Sequence, residues 1–378
     1  MIKEFDYTVA DSQGTAVEPV SPEKFDVQKY VDYEAALLED NAEFWKSQAG
    51  VAVYRRFRVP QVYSYGCREM KQSLAWQLGA LEKSMAYKAD VPNFLEPWYG
   101  IGTVASAFGA EYKWEEGNAP AIAAPFTSVR EVLGREIVPI EETGIGKHTL
   151  EMIEYFLEKT GGRIPISPTD TQAALNAASF LIETNSFYME MFDHPDELKK
   201  LLSMITDLTI DFTKKQEDLI GDALVLPGHG FASSRKFTGL GMSSDVMVMI
   251  SSEQYKEFEA PYLQKAGEAF GGAVFHSCGN WSNKIAAVNS VPNLIMVDAA
   301  FSQETDPDCN PPEPFVAAFD GTGIIVNARI VGNAETVLEK VKRLWQPHMK
   351  LIVVTYCKTP GEQAMVYDEI HRIVTGKN

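Results

Sequence analysis

The sequence predicts an α/β protein, a TIM (β/α)8 barrel with a helical N-terminal extension. Short apolar runs alternate with longer amphipathic segments, and each such unit can form a parallel strand with its right-handed crossover helix. Four clear units follow residue 245 and three or four less regular ones precede it, which favours a closed barrel over an open sheet. The 378 residues would suffice for one large barrel or for two domains.

The extension is predicted to span residues 1–85 and the barrel domain residues 86–378. Residues 1–22 are polar and lack periodicity, so we expect an irregular arm. A helix start is predicted at Ser21 and Pro22, with apolar residues at helical spacing over 27–45 and a second helix over 69–85.

The barrel elements are predicted from the period of the apolar residues. The predicted strands are 91–95, 163–167, 245–249, 273–277, 294–297, 324–326 and 351–356, with a further short apolar run at 119–126. The predicted helices are 101–110, 148–159, 173–181, 195–219, 252–270, 282–289, 312–319, 334–345 and 361–374.

Composition excludes several classes of protein. Hydrophobic residues at 45% and charged residues at 23% are ordinary for a soluble globular chain. The formal net charge of −18 repels phosphate backbones and anionic membrane surfaces, so neither nucleic acid nor membrane is an expected partner. No apolar run approaches the roughly 20 residues of a spanning helix.

The N-terminus shows no basic segment followed by an apolar one, so no secretory signal is predicted. Four cysteines in so long a chain do not make a disulfide framework. We therefore expect a cytoplasmic protein whose thiols are free to bind metal.

A His-x-Cys motif ends the strand predicted at 273–277. Side chains two residues apart on a strand point to the same side, so His276 and Cys278 should lie together. The strand predicted at 351–356 is followed in a similar way by Cys357. All three residues follow the carboxyl ends of their strands, where active sites of β/α barrels lie.

One imidazole and two sulfurs form a ligand set for zinc and leave a fourth position open, as catalytic zinc requires. The alternative is structural, because a lone buried Cys commonly acts as a small apolar side chain. On spacing alone both interpretations stay open, since Cys357 is remote in sequence from the close pair.

Several motifs in combination resemble the uroporphyrinogen decarboxylase superfamily. They are Gly-Leu-Gly-Met-Ser-Ser-Asp at 239–245, Ile-Ser-Ser-Glu-Gln-Tyr-Lys-Glu-Phe at 250–258, Pro-Tyr at 261–262 and His-Ser-Cys-Gly-Asn at 276–280. Within the superfamily the chain is similar to the corrinoid-dependent methyltransferases, which carry His-x-Cys near the fifth strand and a distant Cys on the last. The resemblance covers roughly residues 85–374 and implies zinc at His276, Cys278 and Cys357.

The resemblance implies a zinc-dependent methyltransferase. It would move a methyl group between a small methylated substrate, such as a methoxylated aromatic compound undergoing O-demethylation, and the cobalt of a corrinoid (cobalamin). No Asp-x-His-x-x-Gly motif occurs, so a separate corrinoid protein would dock transiently at the barrel mouth. The other expected partners are the small-molecule methyl donor or acceptor and a second copy of the chain in a homodimer.

Other functions stay open. The methyl group could pass from a methylcorrinoid protein to a thiol, as in coenzyme M methylation, or to tetrahydrofolate. A metal-free decarboxylase is a second alternative, although the basic cluster at 54–60 does not match the Arg-rich segment with which such enzymes bind carboxylates. A non-enzymatic corrinoid or zinc carrier is a third.

Further site residues are predicted from their positions near strand ends. Asp298 follows the strand 294–297 and is a candidate catalytic residue and hydrogen-bond partner of His276. Asn280 and Tyr356 flank the ligands and are the other catalytic candidates. The predicted substrate-binding residues are Glu96, Trp98, Tyr99 and Asp245. Simple packing of the two aromatic rings, and a capping role for Asp245, are the structural alternatives.

Overall fold

The computed structural model describes residues 13–122 and 126–376. Its strands are β1 Gly50–Arg55, β2 Tyr112–Lys113, β3 Ala121–Ile122, β4 Leu240–Ser243, β5 Ala273–His276, β6 Leu294–Ala300, β7 Ile325–Ile330 and β8 Lys350–Thr355. Its α-helices are α1 Val27–Ala35, α2 Leu38–Lys46, α3 Met70–Ser84, α4 Val129–Leu133, α5 Gly144–Thr160, α6 Ala174–Ser179, α7 Thr184–Asp193, α8 Pro195–Ile220, α9 Ser252–Phe258, α10 Ala260–Ala269, α11 Ile285–Val288, α12 Pro312–Phe319, α13 Ala334–Leu344 and α14 Pro360–Thr375.

Six strands form one parallel sheet in the order β1-β8-β7-β6-β5-β4. Short extended segments join its two edges through backbone hydrogen bonds and single parallel bridges. Around the ring these links are Asp90 to Val53, Leu95 to Ile166, Ile166 to Leu224, and Gly241 to Pro227. The sheet therefore closes, and the predicted β/α barrel is confirmed.

The barrel sheet begins earlier in the chain than the sequence predicts. Strand β1 lies within the predicted extension, yet it pairs with β8 along its whole length, from Gly50 beside Lys350 to Arg55 beside Thr355. The division at residue 86 therefore does not separate the barrel from the segment before it. Only four apolar or small residues, 51–54, mark this strand, and its pairing partner is some 300 residues away in sequence.

Part of the predicted N-terminal arm lies outside the described residues. From Thr15 onward the arm is docked: Thr15 N–H donates to the Arg58 carbonyl at 2.7 Å, and Val20 N–H donates to the Ala75 carbonyl of α3 at 2.9 Å. The first described helix starts at Val27, not at Ser21, because the Asp26 side chain accepts the free N–H of Lys29.

The strand predicted at 245–249 is a 3₁₀ helix, and the strand precedes it as β4. Ser244 N–H donates to the His276 carbonyl at 2.8 Å, and Asp245 then begins the turn across the end of β5. The helix predicted at 252–270 is divided into α9 and α10 at Glu259. The apolar run at 119–126 includes residues 123–125, which lie outside the described residues.

Side chains alternate between the inside of the barrel and the surrounding helices, as they must on extended strands. The inner cluster includes Ala52, Tyr54, Val274, Met296, Ile325, Ile352, Val354 and Tyr356. The outer cluster, between sheet and helices, includes Val53, Phe275, Val297, Val326, Leu351, Val353, Cys357, Val366 and Ile370. Within the described ranges, no helix is both long and apolar enough to cross a bilayer.

Candidate active site

A cavity of about 300 Å³ lies where the inward-facing positions of several strands end. The apolar floor of the barrel gives way there to polar and charged side chains. Its lining residues are Arg56, Arg58, Tyr63, Trp98, Ala119, Asp170, His229, Gly230, Ser243, His276, Cys278, Asp298 and Arg329. The candidate site therefore lies at the carboxyl ends of the strands, where the active sites of β/α barrels are found.

The strand register places His276 beside Asp298. The two are partners between β5 and β6, and Asp298 is in turn the partner of Asn327 on β7. The Nδ1 atom of His276 lies 2.6 Å from the Asp298 carboxylate, which also accepts a hydrogen bond from Arg329 Nε at 2.8 Å. Burial disfavours the charged imidazole, but Cys278 and Asp298 raise the pKa of His276 to about 10. Burial likewise opposes ionisation of Asp298, but Arg329 and His276 lower its pKa to about 2.

Cys278 and Asp245 converge on the other nitrogen of this imidazole. Cys278 Sγ lies 3.5 Å from His276 Nε2, and Asp245 Oδ1 lies 3.8 Å from the same atom. The ligand atoms of all three residues lie within 4.8 Å of one another. Asp245 also accepts the Cys278 N–H at 2.7 Å, which fixes the carboxylate over the end of β5.

Cys357 does not join this cluster. Along β8 the inward positions are Ile352, Val354 and Tyr356, so Cys357 falls on the outward side. Its side chain is 1% exposed and belongs to the core cluster that contains Val366 and Ile370 of α14. The predicted zinc set of His276, Cys278 and Cys357 is therefore not brought together, and Asp245 stands where Cys357 was expected.

The three donors that do converge fit a zinc ion. Imidazole nitrogen, thiolate sulfur and carboxylate oxygen are all common zinc ligands, and three protein ligands leave one position for substrate or water. His276 Nδ1–H donates a hydrogen bond to Asp298, which leaves Nε2 facing the other two ligand atoms, as in carboxylate–histidine–zinc arrangements.

Three arginines line the cavity, and the sequence did not single them out. Along β1, Ala52 and Tyr54 face the inside of the barrel. Arg56 and Arg58 continue this alternation beyond the end of the strand, and both line the cavity. Arg329 is 6% exposed, and its Nη2 atom is buried with no hydrogen-bond partner. This guanidinium nitrogen is therefore a hydrogen-bond donor that no described protein group satisfies, and it lies beside the cavity.

A second polar cluster lines the cavity around His229, which the sequence analysis also missed. Its Nδ1 atom lies 2.6 Å from Glu96 Oε2, and its Nε2 atom lies 3.4 Å from Asp170 Oδ2. Trp98 Nε1 donates to the same Asp170 oxygen at 3.0 Å. Of the predicted substrate-binding residues, Trp98 lines the cavity and Glu96 is buried directly behind His229.

The remaining predicted residues lie elsewhere. Tyr99 stacks on His148 with ring centroids 3.8 Å apart and lines a separate pocket with Tyr112 and Trp114. Asn280 accepts hydrogen bonds from Ser282 at the start of the following turn, so it caps local structure.

Tyr356 belongs to the inner apolar cluster, and its hydroxyl donates to Gln13 at 3.2 Å. It is not among the residues that line the cavity. Of the three predicted catalytic residues, Asp298 lines the cavity, and Asn280 and Tyr356 do not.

Comparisons with known proteins agree with this architecture. Residues 97–343 match the family described as uroporphyrinogen decarboxylase (URO-D). Among solved structures, a methyltransferase from Methanosarcina mazei has the same fold, with a TM-score of 0.52 and 14% sequence identity over 96% of each chain. No curated protein matches the sequence. Because the family match covers well over half of its length, the chain belongs to the uroporphyrinogen decarboxylase (URO-D) family.

Proposed function

We propose that the protein is a zinc-dependent methyltransferase of a corrinoid methyl-transfer system. It moves a methyl group between a small, anionic methylated compound and the cobalt of a separate corrinoid protein. The observation that carries this proposal is the convergence of His276 Nε2, Cys278 Sγ and the Asp245 carboxylate within 4.8 Å at the cavity.

The donor set supports zinc with an open coordination position. Zinc bound there would supply a Lewis acid that stabilises negative charge on a substrate oxygen or sulfur. Asp298 contributes by holding the His276 ring through Nδ1, and Arg329 holds Asp298 in its charged form. Because Cys278 and Asp245 are both exposed, a bound substrate could reach this position from the cavity.

The arginines support an anionic substrate. The pKa of Arg329 is raised, since Asp298 and Cys278 outweigh the effect of burial, so its guanidinium remains charged. The Nη2 atom of Arg329 can donate a charge-assisted hydrogen bond to a substrate carboxylate. Arg56 and Arg58 line the same cavity. A methoxylated carboxylic acid offers both a methyl group for transfer and an anion for these residues.

The corrinoid is proposed to arrive on a partner protein that docks over the barrel mouth. In the demethylation direction, the C–O bond of the substrate breaks, its electron pair stays on oxygen, and the methyl carbon forms a bond to Co(I). In the opposite direction, the methyl group would pass from the methylcorrinoid to a thiol, and the same three zinc ligands would serve that reaction.

Decarboxylation is a second candidate, because the arginine-lined cavity is what a metal-free decarboxylase of this family would require. The two functions differ in their need for zinc. A decarboxylase should be insensitive to chelators, whereas a methyltransferase should lose activity with its metal.

The test uses zinc-loaded protein with free cob(I)alamin as methyl acceptor and 4-methoxybenzoate as donor. We expect the cob(I)alamin absorption to convert to that of methylcobalamin, and we expect chelation or Cys278→Ser to abolish both zinc content and conversion. Cys309→Ser is the matched control, since Cys309 is a partly buried cysteine outside the cluster. Full activity after zinc removal would contradict the proposal.

A further inference from the structure

His229 has the contacts of a reactive histidine, and the zinc proposal leaves it without a role. Its side chain is 22% exposed and lines the cavity, while the two carboxylates that flank it are only 6–7% exposed. An imidazole with a buried acid behind one nitrogen and a cavity beside the other can transfer a proton to a bound molecule.

The Glu96 carboxylate stays charged behind this histidine. Burial opposes its ionisation, but His229 and Arg56 lower the pKa of Glu96 overall. Tyr63 also hydrogen-bonds to Glu96, and its ring packs 5.5 Å from the His229 ring. With Nδ1–H donated to Glu96, the acid form of His229 is the imidazolium, whose second proton is on Nε2 and faces the cavity.

On the other side of the ring, His229 Nε2 has no close hydrogen-bond partner among the described residues. Asp170 lies 3.4 Å away, beyond a good hydrogen bond, and its carboxylate is already held by Trp98 Nε1 and Gln172 Nε2. Nε2 therefore has capacity for another acceptor. The charged or titratable groups around His229 are Glu96, Asp170, Arg56, Arg58 and Tyr63.

Glycines flank His229 on both sides in its loop, and their backbone conformation sets the direction of the chain there. Gly228 and Gly230 adopt φ of +111° and +81°, which other residues rarely reach, and Gly228 N–H donates to Ser233 Oγ at 2.9 Å. The imidazole is thus held in place by backbone geometry as well as by Glu96.

We propose that His229 is the proton donor to the oxygen that the methyl group leaves. The inference rests on the proposed function and adds the acid to it. As the C–O bond breaks, the oxygen keeps the electron pair, the methyl carbon bonds to the Co(I) corrinoid, and the Nε2 proton moves to the oxygen. The product is the free hydroxyl compound, and His229 regains its proton from solvent.

The experiment compares two donors that differ in their need for an acid. Transfer to cob(I)alamin is measured with 4-methoxybenzoate and with 4-methoxy-3-nitrobenzoate, whose phenolate leaves without assistance. We expect His229→Gln to lower kcat by about 100-fold for the first donor and by less than about 5-fold for the second. Glu96→Gln should cause the same selective loss to a smaller extent.

His194→Gln is the matched control. His194 makes the same 2.6 Å contact from Nδ1 to a buried glutamate, Glu190, but it lies at the start of α8 and outside the cavity. Equal losses for both donors in His229→Gln would overturn the role of His229 and leave the proposed function standing. Absence of methyl transfer in the wild-type protein, with zinc bound, would overturn both.

If the His229→Gln variant does not fold, the His229→Gly variant is assayed instead, with and without added imidazole. Recovery of the 4-methoxybenzoate rate by imidazole supports the proposal, and a rate that imidazole leaves unchanged overturns it.

Discussion

The Nδ1 atom of His276 and the Oδ2 atom of Asp298 lie 2.6 Å apart across neighbouring strands β5 and β6. The same carboxylate oxygen accepts a hydrogen bond from Arg329 Nε. Asp298 thus connects the candidate metal cluster with the candidate anion site, and its removal should affect both.

Replacing Asp298 by Asn should weaken zinc binding by about 10–100-fold, because the His276 ring loses the acceptor that orients it. It should also lower the free energy of unfolding by about 3–5 kcal/mol, because the charge of Arg329 loses its buried partner. Competition with a chromophoric chelator and denaturant unfolding of the zinc-free protein measure the two effects. Asp320→Asn, at the exposed end of α12, is the control. Unchanged zinc affinity would show that Asp298 does not orient His276.

Replacing Arg329 by Lys should raise KM for 4-methoxybenzoate by about 10–100-fold, the range expected for one charge-assisted hydrogen bond. The lysine keeps a positive charge beside Asp298 but has no second nitrogen at the position of Nη2. With 4-methoxybenzyl alcohol, which carries no carboxylate, the variant should match the wild-type protein at saturating zinc. Equal effects on both compounds would exclude Arg329 as the carboxylate ligand.

Glu259 should make stability depend on pH. It is fully buried between α9 and α10, where burial raises its pKa from 4.5 to about 7. Between these two values the folded protein binds one more proton than the unfolded chain, so stability falls as pH rises and the loss is complete above about pH 7.

The loss amounts to roughly 3 kcal/mol at most, and Glu259→Gln should remove it. Unfolding free energies at pH 5 and pH 8 for the two proteins provide the measurement. An identical decrease in both proteins would show that Glu259 is not the titrating group.

Gly79 of α3 should tolerate no side chain. A Cβ atom there would lie 1.9 Å from the Glu18 carbonyl oxygen, so the docked N-terminal arm or the helix must shift. We expect Gly79→Ala to destabilise the protein by about 1–3 kcal/mol. At Gly144, the first residue of α5, a Cβ atom would meet nothing within 4 Å, so Gly144→Ala should be neutral or slightly stabilising. Equal stability of the two variants in thermal unfolding would contradict the docking of the arm.

Most of the barrel can be predicted from the sequence, because the spacing of apolar residues and the positions of turn residues indicate each helix or strand from its own residues. The helices and strands after residue 270 follow the predicted ranges closely. His276 ends β5 and Cys278 follows it, as expected, whereas Asp298 lies within β6, which continues to Ala300. The early strand β1 was missed because its four-residue run becomes a strand only through pairing with β8.

The errors in the site have similar causes. Cys357 follows the end of β8, but its outward direction depends on strand alternation counted from the inner residues Ile352 and Val354. The sequence could not supply this direction, because both faces of the strand 351–356 are mainly apolar and do not show which alternation points inward. Arg329 and His229 carry no local signal of their own, because the contacts that define them come from distant segments.

X-ray absorption spectroscopy at the zinc edge of the metal-loaded protein tests the central claim most directly. The donor set His276, Cys278 and Asp245 predicts one sulfur scatterer at about 2.3 Å, with the remaining ligands nitrogen or oxygen at about 2.0–2.2 Å. Cys357→Ser should leave that spectrum unchanged, and Cys278→Ser should remove the sulfur contribution. Two sulfur scatterers in the wild-type protein, or no bound zinc, would contradict the account.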